Sequence, residues 1–300
     1  MNQILYQILV LFSRLPLKVL YFFSDVFFLL NYYIIGYRKK VVFENLKNSF
    51  PEKTEPELRR IKKEFFRNFG DFMVETLKTF TISSEELESL VTYESTEFFE
   101  KAFQKRKNVI ILTGHTFNWE FTTLVAQKLP QENFYAIYKK LQSAFWDKKI
   151  IESRGRFGFQ LLEAKNVMKH FIEQKNDGNS VYGFLSDQSP QRGKSQFGVN
   201  FLNQRTPVFT GYNRLPEKDN LLFCFAEIIK IKRGKYHIKF IEILPENEKF
   251  EEFELVVKFN QLIERTIRKQ PENWLWSHKR WKNADEITDE KLYHGKEYPI

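Results

Sequence analysis

From residue 107 onward the chain changes its hydrophobic rhythm, and that change restricts the fold more than any other feature. Short apolar runs at 108–113 (NVIILT), 134–138 (FYAIY), 181–186 (VYGFLS), 222–229 and 236–241 read as strands. Helical stretches fit between them at 119–128, 144–153, 164–174 and 253–268. Strands alternating with helices predict an α/β fold with a mixed, largely parallel sheet flanked by helices, in which sites form where strand ends meet helix starts. Before this region, apolar residues at three- and four-residue steps (Leu58, Ile61, Phe65, Phe69, Phe72, Met73, Leu77, Phe80) mark a long amphipathic helix. Thr54 serves as its N-cap and Pro56 stands in its first turn. With no internal repeat or low-complexity linker, residues 41–300 read as one domain, a helical lead-in (41–106) followed by an α/β core (107–300).

Residues 1–37 are denser in Leu, Ile, Val, Phe and Tyr than any other part of the chain. Arg14, Lys18 and Asp25 leave no uncharged run of the roughly 18 residues that mark a spanning helix. The segment is also a poor signal peptide, with no basic residues ahead of the first apolar stretch and no small-residue cleavage site, so it is expected to stay in the mature protein. Pro16 divides it into two helical pieces. The second is crowded with aromatics, from Tyr21 to Tyr37, and is followed by Arg38, Lys39 and Lys40, a pattern suited to the headgroup level of an anionic leaflet. Residues 1–40 are therefore expected to associate with a membrane, as a span or as an interfacial insertion.

The 300 residues are 42% hydrophobic and 28% charged, which excludes a long disordered tract, and a mean hydropathy of −0.46 excludes a multi-span membrane protein. Lysines and arginines number 47 against 38 acidic residues; the resulting +9 suits an acidic partner, but no nucleic-acid-binding signature accompanies it. The single cysteine, Cys224, lies in an apolar run and reads as a buried bystander that excludes an intramolecular disulfide. No histidine or carboxylate pair has metalloprotease spacing, and neither a metal nor a cofactor is expected.

The informative stretch follows the first core strand: Gly114-His115-Thr116-Phe117-Asn118-Trp119-Glu120. Gly114 permits a tight turn, His115 emerges at a strand end, and Asn118 can cap a helix whose first turn holds Glu120. A carboxylate at that spacing can accept a hydrogen bond from the histidine Nδ1 and leave Nε2 as a general base. A loop histidine beside a helix-capping glutamate has the same spacing, so the motif needs support from elsewhere in the chain.

That support comes from GHTFNWE together with YRKKVVFENLKNSFPEK, Tyr138-Lys139, Arg154-Gly155-Arg156, Leu185-Ser186-Asp187-Gln188, Asn200-Phe201-Leu202 leading to Thr210-Gly211, and the closing PENWLWSHKRWK at 271–282. In this order they resemble the bacterial lipid A biosynthesis acyltransferases, the late acyltransferase branch of the lysophospholipid acyltransferase superfamily, over essentially the whole chain. One position departs: the family usually has arginine where this chain has Lys139, and an ammonium cannot reproduce a bidentate guanidinium.

The resemblance implies transfer of a fatty acyl group from acyl carrier protein to a hydroxyl of a membrane glycolipid, at the cytoplasmic face of the inner membrane. His115 would deprotonate the acceptor and Glu120 would orient His115. The oxyanion would be met by backbone amides after His115 or by Arg156. Arg154 and Arg156 are alternatively phosphate holders, Tyr138 and Lys139 substrate contacts, and Asp187 a group that positions the acceptor or an arginine. His278, Arg280 and Trp281 form a mixed cationic and aromatic stretch suited to a lipid or carrier interface, or else pack the C-terminal segment onto the sheet. His170, His237 and His294 belong to no motif. Amino-lipid or other polar-lipid acceptors, hydrolysis in place of transfer, and an idle scaffold of the same fold are the competing readings.

Overall fold

Every pair of neighbours in the central sheet but one is parallel, in a computed structural model that describes residues 1–215, 220–243, 251–295 and 297–298. The chain opens with helices α1 (Asn2–Ser13), α2 (Leu17–Leu29, continued by a wider turn over Leu30–Ile35), α3 (Lys39–Ser49) and α4 (Glu55–Lys78). There follow α5 (Ser84–Glu88), β1 (Val91–Glu94), α6 (Glu97–Gln104), β2 (Val109–Thr113) and β3 (Asn133–Tyr138). Then come α7 (Ala144–Gly155), β4 (Phe159–Glu163), α8 (Val167–Glu173) and β5 (Ser180–Leu185). Strands β6 (Gly198–Phe201), β7 (Gln204–Pro207), β8 (Leu222–Lys232) and β9 (Lys235–Glu242) precede the last long helix, α9 (Glu254–Lys269).

The sheet order is β1-β9-β8-β2-β5-β3-β4, with β8 and β9 antiparallel across a hairpin turned by Gly234 at φ +70°; β6 and β7 pair separately. Alternation along the strands divides the core. Ile110, Leu112, Tyr182, Phe184, Phe223 and Phe225 face α4 and α9, whereas Val109, Ile111, Val181, Cys224 and Ala226 face α5, α6 and the segment after β2. Cys224 is fully buried, and burial pushes its thiol well above the ordinary range.

The mixed, largely parallel sheet matches the sequence reading, and its differences have physical causes. The sequence does not reveal the separate pair β6 and β7, nor, in the central sheet, β1 and β4; the latter are its two edges, short and partly exposed, so they lack the continuous apolar run of an interior strand such as β2. β1 also adds a strand within 41–106, the stretch expected to be helical. Residues 119–128, expected as an α-helix, form 3₁₀ turns instead. There Thr122 and Thr123 donate to the carbonyls of Trp119 and Glu120, three residues back, at 2.8 and 3.0 Å, supporting a tighter winding.

Thr54 and Glu57 close a capping box at the start of α4. α2 lies along α4, burying Leu20, Ser24, Phe28 and Asn31 and leaving Phe22, Leu29, Ile34 and Ile35 exposed. The stretch Leu17–Ile35 is 19 residues long and by length and composition apolar enough to cross a membrane. It is nevertheless tied to the domain by polar groups: Ser24 donates to Asp71 at 2.8 Å, and Arg233, beside the β8–β9 turn, pairs with Asp25 at 2.8 Å and Asp71 at 2.6 Å. The two helices meet at Gly70, where a Cβ would stand 2.9 Å from Ser24 Oγ and 3.0 Å from its carbonyl. Gly70→Val is therefore expected to push α2 off α4 and cost roughly 1–3 kcal/mol, read as a lower denaturant midpoint at an unchanged slope.

Candidate active site

Parallel pairing of β2 with β5 brings the two most reactive-looking loop residues together. Thr113 stands opposite Leu185, and the next amide, Ser186 N–H, donates to the Thr113 carbonyl at 3.1 Å, so Gly114-His115 and Ser186-Asp187 leave the sheet side by side. Gly114 makes room for this approach: a Cβ there would collide with the Ile263 side chain of α9 and lie 2.9 Å from Asp187 Oδ2.

Asp187 is the carboxylate that meets the His115 ring. It is 2% exposed and accepts three hydrogen bonds: from His115 Nδ1 at 2.6 Å, from the His115 backbone amide at 2.8 Å and from the Trp274 indole at 2.6 Å. Burial alone would raise its pKa, but the adjacent His115 charge and these donors outweigh burial and hold it at about 2. An ionised carboxylate can only accept, so Nδ1 bears a hydrogen toward it, and the neutral tautomer this contact selects has its lone pair on Nε2.

Glu120, expected to orient His115, is engaged by other groups in the structure. Arg154 of α7 grips the Glu120 carboxylate with two hydrogen bonds, 3.0 Å from Nε and 2.6 Å from Nη2, and the Trp119 indole donates to it at 3.1 Å. Glu120 therefore secures the Trp119 ring, whose centroid lies 4.9 Å from that of His115, edge to face. Asn118 caps the segment as expected, its Oδ1 accepting from the Glu120 amide at 2.9 Å.

Arg154 is thus committed to Glu120. Burial opposes its charge, but the glutamate offsets that and raises its pKa. Arg156 is not an oxyanion donor in this arrangement: its guanidinium bonds the Thr79 and Ile82 carbonyls, between α4 and α5, at 2.6 and 2.8 Å. The Phe117 amide is taken by the Asn273 carbonyl. Tyr138 reaches Asp147 at 3.5 Å, and Lys139 is exposed at the end of β3.

The C-terminal stretch is not a surface patch. Trp274 and Trp276 are buried, and Trp281 donates to Thr206 at 2.7 Å. Arg280 is 1% exposed and donates to the Pro207 carbonyl at 2.8 Å, so it cannot sit at a lipid or carrier interface. Burial lowers its pKa to about 10, opposed by the charge of Asp187. His278 Nε2 accepts from the Ser189 amide at 3.3 Å, two residues beyond Asp187. A cavity of about 70 Å³ lies behind Trp119, Glu120 and Arg154, walled by apolar groups including Ile111, Val125 and Phe159.

Burial and the neighbouring Arg280 charge lower the His278 pKa to about 4. A histidine depressed in the folded state costs stability as pH falls from the unfolded value of about 6.5 toward 4, because only the unfolded chain takes up the proton there. His278→Gln, which can still accept from Ser189, is expected to flatten that part of the stability profile relative to the parent, as measured by thermal midpoints across the window.

A model of the family "Bacterial lipid A biosynthesis acyltransferase" matches residues 3–283. The chain is 22% identical over 289 residues to the lipid A biosynthesis palmitoleoyltransferase of Escherichia coli (strain K12), covering 95% of this chain and 92% of that protein. It is 23% identical over 238 residues to the lipid A biosynthesis myristoyltransferase of the same organism, covering 77% and 71%. With the family match running through both the histidine turn and the tryptophan-rich C-terminal stretch, this chain belongs to the bacterial lipid A biosynthesis acyltransferase family.

Proposed function

We propose that this protein is a membrane-bound O-acyltransferase that moves a fatty acyl group from acyl carrier protein to a hydroxyl of a lipid A-type glycolipid. The observation that carries the reading is the His115–Asp187 pair at 2.6 Å, its carboxylate buried and its imidazole partly exposed, set at the strand ends of an α/β sheet in a chain of this family. His115 Nε2 removes the acceptor proton, the alkoxide attacks the thioester carbonyl, and collapse of the tetrahedral oxyanion expels the carrier thiolate, which takes a proton from the imidazolium. Asp187 holds the tautomer and stabilises the imidazolium, as the aspartate does in a Ser-His-Asp triad. The apolar cavity behind Trp119 is the place for the start of the acyl chain.

The exposed apolar faces of α1 and α2, among them Ile4, Ile8, Leu11, Phe22 and Leu29, support docking on a bilayer. An interfacial position suits α2 better than a span. Asp25 stands near the middle of Leu17–Ile35, and its partner Arg233 belongs to a hairpin that also carries Lys230, Lys232 and Lys235; a span would carry this charged hairpin toward the hydrocarbon centre. The net charge of +9 fits an acidic carrier, a phosphorylated glycolipid and an anionic inner leaflet, and so supports a reading with the domain on the cytoplasmic side of the inner membrane.

Incubation of the purified protein with acyl carrier protein thioester and lipid A-precursor vesicles, followed by mass spectrometry, is expected to yield a glycolipid heavier by one acyl group. His115→Ala should lower the rate roughly 10²–10⁴-fold in folded protein. Asp187→Asn should lose a comparable amount, since an amide can donate to Nδ1 and favour the wrong tautomer. Glu120→Gln should lose less than either; a Glu120→Gln loss equal to that of His115→Ala, with Asp187→Asn fully active, would return the orienting role to Glu120. Thioester consumption without a heavier glycolipid would indicate hydrolysis.

At subsaturating donor the rate should fall as ionic strength rises, because salt screens the attraction between the basic chain and the acidic carrier. A rate independent of salt would remove that role for the charge.

A further inference from the structure

Glu75 of α4 is 0% exposed, and the acyl-transfer steps do not use it. Three donors from three separate parts of the chain converge on its carboxylate. The Tyr21 hydroxyl of α2 meets Oε1 at 2.7 Å, the Tyr236 hydroxyl of β9 meets Oε2 at 2.7 Å, and the Asn118 amide Nδ2 meets Oε2 at 3.1 Å. Asn118 is itself buried, and its other end, Oδ1, accepts the Glu120 amide at 2.9 Å. Glu120 in turn holds Trp119 against His115 and engages Arg154.

We propose that Glu75 is a positioning residue that, through Asn118, sets the turn carrying His115 and Glu120 and ties it to the aromatic N-terminal helix. The chemistry of the two side chains explains how. An amide has one donating and one accepting end; burial raises the Glu75 pKa, the Lys230 charge and the two tyrosine hydroxyls oppose that, and the three converging donors mark its oxygens as acceptors. Glu75 therefore selects the NH₂ end of Asn118 and directs the carbonyl end toward the Glu120 amide, where it caps the first turn. Without an acceptor at position 75 the Asn118 amide can reverse, and the cap is lost. Because Tyr21 shares the same carboxylate, an unbroken path of hydrogen bonds connects the position of α2 against α4 to the geometry of the turn. The effect on rate rests on the acyl-transfer reading, but the effect on the cap does not.

The test exchanges the two groups. Asn118→Asp sets a carboxylate against Glu75 and is expected to speed hydrogen exchange in the peptide spanning 114–125 and to lower kcat at least tenfold, with the KM for the thioester within twofold. Combining it with Glu75→Gln restores one amide facing one carboxylate with the roles reversed, and is expected to recover most of the protection and of kcat. A merely space-filling role predicts no such rescue, because each exchange is nearly isosteric. A double variant no better than Asn118→Asp, or an unaffected Asn118→Asp, would overturn the proposal. If Asn118→Asp is recovered only unfolded, a folded double variant is the rescue, and an unfolded one overturns the proposal. Tyr21→Phe is expected to speed exchange in the same peptide; unchanged exchange would overturn the tie to the helix. Exchange is read without substrate, so a protein that transferred no acyl group would still decide the matter.

Discussion

One buried carboxylate organises the region around the histidine. Asp187 is buried, and its charge is compensated by the three hydrogen bonds that His115 and Trp274 deliver to it. Those donors come from the end of β2 and from the segment beyond α9, so Asp187 binds the first core strand and the C-terminal stretch to the end of β5. Its demand for donors fixes the histidine ring, and its closeness to Gly114 leaves no space for a side chain there.

Around this centre the polar groups form two further layers with distinct tasks. Glu120 and Arg154 join the turn to α7, and Glu75 joins it to α2, α4 and β9. Each pairing is partly or fully buried, so each carries a large penalty for losing one partner and a smaller net gain when complete. Such pairings specify geometry more than they add stability. A turn that must hold a histidine ring in one orientation benefits from that specification.

The resemblance motifs named His115, Glu120, Arg154 and Asp187 but not the partnerships among them. His115 and Glu120 are close in sequence, and the spacing invited a direct contact; Glu120 instead faces Arg154, 34 residues away. Asp187 was legible as a strand-end carboxylate, yet its pairing with His115 depends on β5 lying beside β2, a neighbour relation that no local pattern encodes. The basic and aromatic character of WSHKRWK left a surface and a packed segment equally open, because sequence composition cannot tell an arginine solvated outside from one held by a carbonyl inside. Glu75 had no signal beyond a carboxylate on the apolar side of an amphipathic helix.

What the sequence determined by itself was the kind of architecture and the places where chemistry could occur. Apolar runs of strand length, the period of α4 and the GHTFNWE turn are local, and local patterns report backbone conformation and which face is buried. The tertiary structure decided which carboxylate serves the histidine, which arginines are committed to carbonyls or to glutamate, and how the N-terminal helix reaches the turn. Those outcomes depend on strand order and helix crossing, which bring residues tens to hundreds of positions apart into contact, and a hydrogen bond requires that proximity before any residue type can form it.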